Sequence, residues 1–169
     1  VMGLAWWALD FPFMRRQGDK RSMARDMAET RKSCERFKLI PTSVINFMEG
    51  TRFSTAKHAE QQSPYRNLLR PKLGGMTMAM ATMGGTFDSM LDVTIVYPTG
   101  VPTFWDLLCG KVRNVIVHVR EVAIPEPLKE GERALERDYR NQLQKWVLAL
   151  WAEKDDTIDE LRARFERRT

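Results

Sequence analysis

Glu49-Gly50-Thr51-Arg52 sets side by side four residues suited to holding a phosphate. Arg52 offers a planar fork of N–H donors that matches phosphate oxygens. Gly50 permits a sharp turn and lets the backbone approach a ligand closely. Thr51 adds a hydroxyl, and Glu49 is placed to pair with Arg52 or another cation and pin the turn. The plainer alternative is a structural, salt-bridged turn with no ligand. Arg16 supplies a second positive charge, with Arg15 a close rival; for that pair the alternative is a solvated or lipid-facing role. Lys57 and Lys72 stand as supporting cations around the same anion, although most lysines are simply solvated.

The overall charge agrees with an anionic partner. The chain carries 27 Lys and Arg against 22 Asp and Glu, a formal net charge of +5. Such a balance favours nucleic acid, anionic lipid headgroups or phosphorylated substrates. The aromatic residues form no ribonucleoprotein-type pattern and no zinc-finger spacing exists, so nucleic acid is not expected as a partner. Cys34 and Cys109 lie far apart without a metal-ligand spacing and read as idle thiols in a reducing compartment. No metal and no cofactor is expected.

The elements that must position these residues follow from the pattern of apolar residues. Gly3 to Leu9 is apolar, Asp10 interrupts it and Phe11 to Met14 follows; the stretch is too short to cross a bilayer, which needs roughly 20 residues. Trp6, Trp7, Phe11 and Phe13 beside Arg15 and Arg16 suit a membrane interface; a helix in the domain core is the alternative. The segment has no basic leader or cleavage site, so it is not a signal peptide, and a start inside an apolar element looks like a piece of a longer chain. Asp19 to Lys38 is a solvated helix with an apolar stripe of Met23, Met27, Thr30, Cys34 and Phe37. Ser43 to Met48 is short and β-rich and predicts a buried strand ending at the Glu49–Arg52 turn. Ser54 to Pro71 is polar and irregular.

Met76 to Met83 predicts a helix closed by Gly84-Gly85, its methionines serving core packing or, as the alternative, an acyl-chain pocket. Asp92 to Tyr97 predicts a second buried strand. Pro102 to Leu108 is a short helix or turn. Val112 to Val122 alternates as a half-exposed strand, with Val115, Val117 and Val119 on one face and Ile116, His118 and Arg120 on the other. Pro125 and Pro127 mark a loop. Glu130 to Lys154 predicts a long amphipathic helix with Leu135, Tyr139, Leu143, Trp146, Val147, Leu150 and Trp151 on its buried stripe. A separate, charged final helix is expected from Asp155 to Arg167. The alternation of helices and strands gives an α/β domain, a mixed sheet covered by helices over residues 1–154, followed by a charged tail at 155–169. In such sheets ligands bind beyond the carboxyl ends of strands, where Glu49 to Arg52 would lie.

Phe47 to Ser54 resembles the Glu-Gly-Thr-Arg block of the lysophosphatidic acid acyltransferase family. Gly3 to Arg16 resembles the block before it, which closes on an arginine. Pro71-Lys72-Leu73-Gly74-Gly75 and Asp92-Val93-Thr94-Ile95-Val96-Tyr97-Pro98 resemble later parts of the same domain. Lys57-His58 and the Asp-Val-Thr strand point to a branch of bacterial inner-membrane acyltransferases related to lysocardiolipin acyltransferases, which implies the cytoplasmic face of that membrane. A lone Glu-Gly-Thr-Arg is weak; four blocks in order, from Met2 to about Lys154, are strong.

The resemblance implies a glycerolipid acyltransferase-like domain, incomplete at its N-terminus. It implies transfer of an acyl group from acyl-CoA or acyl carrier protein to the free hydroxyl of a lysophospholipid, at a membrane surface. It also assigns acceptor binding to Arg16, Glu49, Gly50, Thr51 and Arg52. The family's base is a histidine oriented by an aspartate in a His-x4-Asp motif, which belongs upstream of the first block seen here. His58 and His118 have no aspartate five positions on, so no catalytic residue is expected in this chain. A further departure is Met90 to Thr94, which lacks the proline usual before the strand of the fourth block. Two other readings compete: a non-catalytic relative that binds lysophospholipid or anionic membrane, and a basic nucleic-acid-binding protein with accidental matches.

Overall fold

The computed structural model describes residues 43–130, 133 and 136–167. The expected Gly3–Arg16 block, with Arg15 and Arg16, and the expected Asp19–Lys38 helix lie outside the described residues. Among the described residues, five helices and two strands follow one another as α1 Thr55–Glu60, α2 Gly74–Met83, β1 Met90–Val96, α3 Phe104–Leu108, β2 Ile116–Val122, α4 Glu126–Lys129 and α5 Arg137–Glu166. A single 3-10 turn, Gly84–Thr86, closes α2. No helix among the described residues is long and apolar enough to cross a membrane.

Helix α5 organises everything else. Residues 137–166 contain neither Gly nor Pro, so nothing interrupts about 45 Å of helix. Its buried residues are Tyr139, Leu143, Val147, Trp151, Lys154, Asp155 and Ile158, a helical stripe running past the expected end at Lys154. The break expected between Lys154 and Asp155 is therefore absent. Charged residues there suggested a separate solvated helix, whereas Lys154 and Asp155 are buried and bonded. The start also moves, to Arg137 in place of Glu130.

Two apolar clusters lie along this stripe. Met76 and Met80 of α2, with Ile124 and Leu128, pack on Tyr139, Leu143 and Val147. Leu68 and Val96 pack on Trp151 and Ile158. The buried methionines of α2 thus do ordinary core work. The Tyr139 hydroxyl donates to the Leu128 carbonyl at 2.7 Å, which satisfies the polar end of a buried ring. Gly84 allows the chain to pass close to α4: a Cβ there would stand 2.9 Å from the Lys129 carbonyl oxygen.

The sheet is smaller than expected. Strands β1 and β2 form one antiparallel pair, in register Asp92 with Arg120, Val93 with Val119, Thr94 with His118, Ile95 with Val117 and Val96 with Ile116. The mixed sheet is thus replaced, among the described residues, by two antiparallel strands, although helices and strands do coexist as an α/β reading requires. One sheet face carries Asp92, Thr94, Val96, Ile116 and Arg120 toward α5; the other leaves Leu91, Val93, Ile95, Val117 and Val119 exposed. Strand β1 is accordingly buried on one face only. Residues 43–47 form no strand, and Ile45 and Phe47 are 80% and 81% exposed. A β-rich run becomes a strand only against a neighbour that takes up its backbone hydrogen bonds, and among the described residues β1 and β2 pair only with each other. Two short helices occupy stretches read as irregular. Ser54 caps α1 by accepting from the Lys57 amide, and Pro127 sits in the first turn of α4, where its missing N–H costs nothing.

Candidate functional site

Met48 touches both core clusters and so fixes where the chain leaves the core. The next residues reverse direction. The Gly50 amide donates to the Phe47 carbonyl at 2.9 Å, and Gly50 has φ of +66°, the left-handed region that side chains with a Cβ disfavour. Lys72 lies across this turn. Its amide donates to the Met48 carbonyl at 2.6 Å, and a Cβ on Gly50 would stand 3.1 Å from its Cδ. Lys57 arrives from α1: its ammonium donates to the Thr51 hydroxyl at 2.7 Å and to the Arg52 carbonyl at 3.2 Å. The spacing of Lys57 from the turn is set by the Ser54 cap, two residues after Arg52, from which α1 starts at Thr55.

The structure therefore brings Gly50, Thr51, Arg52, Lys57 and Lys72 together. Arg52, Lys57 and Lys72 have no carboxylate within 4 Å among the described residues, and Arg52 is exposed. Lys57 and Lys72 reach this glycine turn and Arg52 is part of it, so with no carboxylate on any of the three among the described residues the turn is a positive, solvent-open cradle suited to an anion. Arg15 and Arg16, expected to add charge here, lie outside the described residues.

Glu49 behaves differently from the expectation that it pairs with Arg52. Its Oε2 accepts from the Leu69 amide at 3.4 Å, on the inner side of the turn. Glu49 is half-buried while Arg52 is exposed, and no ion pair joins the two. Burial pushes the Glu49 carboxyl above the usual carboxylate range, opposed by the Leu69 amide and by the positive charge of Lys154. An acid whose pKa is raised by folding favours the folded state below its unfolded pKa, and this contribution is lost as pH rises through the folded value. Glu49→Gln keeps an acceptor for Leu69 and removes the cost of burying charge. It is expected to raise the urea midpoint slightly at pH 7, with the gain over the parent vanishing toward pH 4, in a pair of equilibrium unfolding series.

Neither histidine resembles a base held by a carboxylate. His58 Nε2 lies 2.5 Å from the Tyr65 carbonyl oxygen, and its ring packs against Phe53 with centroids 5.7 Å apart. His118 stands opposite Thr94 in the sheet. Among the described residues no carboxylate bonds to either ring, and no three His, Cys, Asp or Glu side chains gather as a metal site. Reading the sequence missed the bonds behind the turn, from Asp155 to the Arg66 and Asn67 amides and from Trp151 to the Leu69 carbonyl, and the burial of Lys154 beside them in α5. The burial of two charged residues in a polar-looking stretch was not visible in the helical pattern.

Comparison with known proteins points to acyl transfer. The chain is 26% identical to 1-acyl-sn-glycerol-3-phosphate acyltransferase 2 of Brassica oleracea, over 94% of this chain and 40% of that protein. It is 27% identical to the protein of the same name from Arabidopsis thaliana, over 84% of this chain and 38% of that protein. It is 26% identical to the 2-acyl-1-lysophosphatidylinositol acyltransferase of Saccharomyces cerevisiae, over 70% and 32% of the two chains. The chain spans about two-fifths of the length of the first two of these curated relatives. No protein-family model and no solved structure matches it. These likenesses support the lysophosphatidic acid acyltransferase family suggested by the ordered sequence blocks.

Proposed function

We propose that this chain is the acceptor-binding portion of an acyltransferase that acylates the free hydroxyl of a lysophospholipid such as lysophosphatidate. The observation that carries the proposal is the group of three cations at the Glu49–Arg52 turn, Arg52, Lys57 and Lys72, with no carboxylate partner among the described residues, in a chain similar to acyltransferases. The phosphate of the acceptor sits against Arg52, whose fork can take two oxygens, with Lys57 and Lys72 adding positive potential. Thr51, already accepting from Lys57, retains its own hydroxyl proton to donate.

With the phosphate fixed, the glycerol hydroxyl is held for attack on the thioester of acyl-CoA or acyl carrier protein. Its oxygen bonds to the acyl carbon, the hydroxyl proton passes to a general base, and the thiolate leaves and is protonated. The base is assigned to a His-x4-Asp pair outside the residues present here. The same reading places the protein in the bacterial inner-membrane branch of the family, working at the cytoplasmic face of the membrane. A second reading, a non-catalytic lysophospholipid- or membrane-binding relative, draws on the lack of a carboxylate-held histidine among the described residues.

The purified chain is expected to bind lysophosphatidate and to transfer no acyl group from acyl-CoA. Turnover by this chain alone would overturn the assignment of the base. Tight, salt-sensitive binding of an oligonucleotide with no binding of lysophosphatidate would replace the lipid reading with a nucleic-acid one.

A further inference from the structure

The cradle is held from behind by helix α5, roughly 100 residues further along the chain. Segment 66–72 runs between them. On its α5 side, Asp155 accepts from two consecutive backbone amides, Arg66 N–H and Asn67 N–H, both at 2.8 Å. Trp151 Nε1–H donates to the Leu69 carbonyl at 2.9 Å. Asn67 is gripped further by the Asp159 carboxylate at 2.7 Å and by Arg162. On its other side, the same segment gives the Leu69 amide to Glu49, the Lys72 amide to Met48 and the Lys72 side chain to the face of Gly50. Leu69 is thus bonded through its carbonyl to α5 and through its amide to the cradle.

We infer that Asp155 and Trp151 are positioning residues for the phosphate cradle, setting through segment 66–72 where Glu49, Gly50 and Lys72 stand. This rests on the reading of that turn as a phosphate site. Asp155 is 5% exposed, in mid-helix, with both carboxylate oxygens committed to backbone N–H groups outside its own helix. A buried carboxylate is a costly way to fill a core, where an apolar residue would serve. Its use here gives what an apolar residue cannot: direction. Two charge-assisted bonds to adjacent amides fix the path of the backbone as well as its distance. Burial works to raise the Asp155 carboxyl, but the Arg66 and Asn67 donors outweigh it and hold it below the usual carboxylate range, so it stays an acceptor at neutral pH. Trp151, one turn earlier, adds a second fixed point on the same segment. A displacement of about 1 Å in such a supporting shell is enough to weaken a site.

The test compares three variants of the intact protein by calorimetric titration with a short-chain lysophosphatidate, alongside thermal melts. Trp151→Phe keeps a ring and removes one donor; Asp155→Asn keeps the shape and one acceptor. Both are expected to raise the Kd about tenfold, the loss of one bond's worth of alignment. Tyr139→Phe removes a comparable buried hydrogen bond, to Leu128, far along α5 from this segment. It is expected to lower the melting temperature and leave the Kd unchanged, which separates positioning from stability. If Asp155→Asn does not fold, Trp151→Phe decides. A folded Trp151→Phe or Asp155→Asn protein with the parent's Kd would overturn the inference. Arg52→Ala is run beside them: if it too keeps the parent's Kd, the phosphate reading itself falls.

Discussion

Replacing Arg52 by alanine is expected to weaken lysophosphatidate binding about 10- to 100-fold, the equivalent of one charge-assisted hydrogen-bonded contact of roughly 1.5–3 kcal/mol. Three features of the turn lead to that size. Arg52 has no carboxylate partner among the described residues, so its guanidinium is not already neutralised. It is exposed, so part of its attraction is screened by solvent and salt, and the effect falls short of that of a fully buried pair. Lys57 and Lys72 remain after the substitution and keep part of the positive potential. Arg52→Lys is expected to fall between parent and alanine, because lysine restores the charge without the fork. Titrations at two ionic strengths check both points. The affinity of the parent should drop with salt more steeply than that of Arg52→Ala.

Replacing Lys154 by alanine is expected to cost about 3–5 kcal/mol of folding stability, the range for breaking one side of a buried ion pair. Lys154 is 8% exposed and lies where α5 crosses β1. Its ammonium meets the Asp92 carboxylate at 2.5 Å, the Val93 carbonyl at 2.9 Å and the Thr94 hydroxyl at 2.9 Å. Removing it leaves three acceptors facing a cavity, one of them charged. Arg120, bonded to Asp92 at 3.0 Å and to Glu153 at 2.6 Å, offsets only part of this, since it approaches the other carboxylate oxygen. Lys154→Met, paired with Asp92→Asn, removes both charges while keeping much of the volume, and is expected to recover part of the loss. Urea unfolding of the two single variants and the double variant gives the coupling directly. Additive effects would contradict a paired role for the two residues.

What could be read from the sequence was local. The Glu49–Arg52 turn, the methionine helix, the strands at Met90–Val96 and Ile116–Val122 and the apolar stripe of α5 follow from short-range chemistry and period, and each is present, although the pairing of the strands was not read. The failures share a physical cause. Ser43 to Met48 has the composition of a strand, yet strand formation depends on a partner that composition does not show. Six residues after Ser54 form a helix because one cap suffices for a single turn and a half, too short for any period to register. Lys154 and Asp155 look like the solvated end of a helix; only the arrival of Asp92 and of the Arg66 and Asn67 amides from distant segments makes their burial favourable. Glu49 looked like the partner of Arg52 because the two are neighbours in sequence, yet its carboxylate turns inward to the Leu69 amide, which comes from 20 residues along the chain. The cradle was therefore legible as a set of residues, while its support from α5 was not.

The most direct measurement is a calorimetric comparison of two ligands that differ only in the phosphate: lysophosphatidate and the monoacylglycerol with the same acyl chain. Three cations at the turn without a carboxylate partner among the described residues predict that lysophosphatidate binds and that the monoacylglycerol binds at least about tenfold more weakly, with the difference shrinking in high salt. Equal affinity for the two ligands would mean that Arg52, Lys57 and Lys72 do not hold a phosphate.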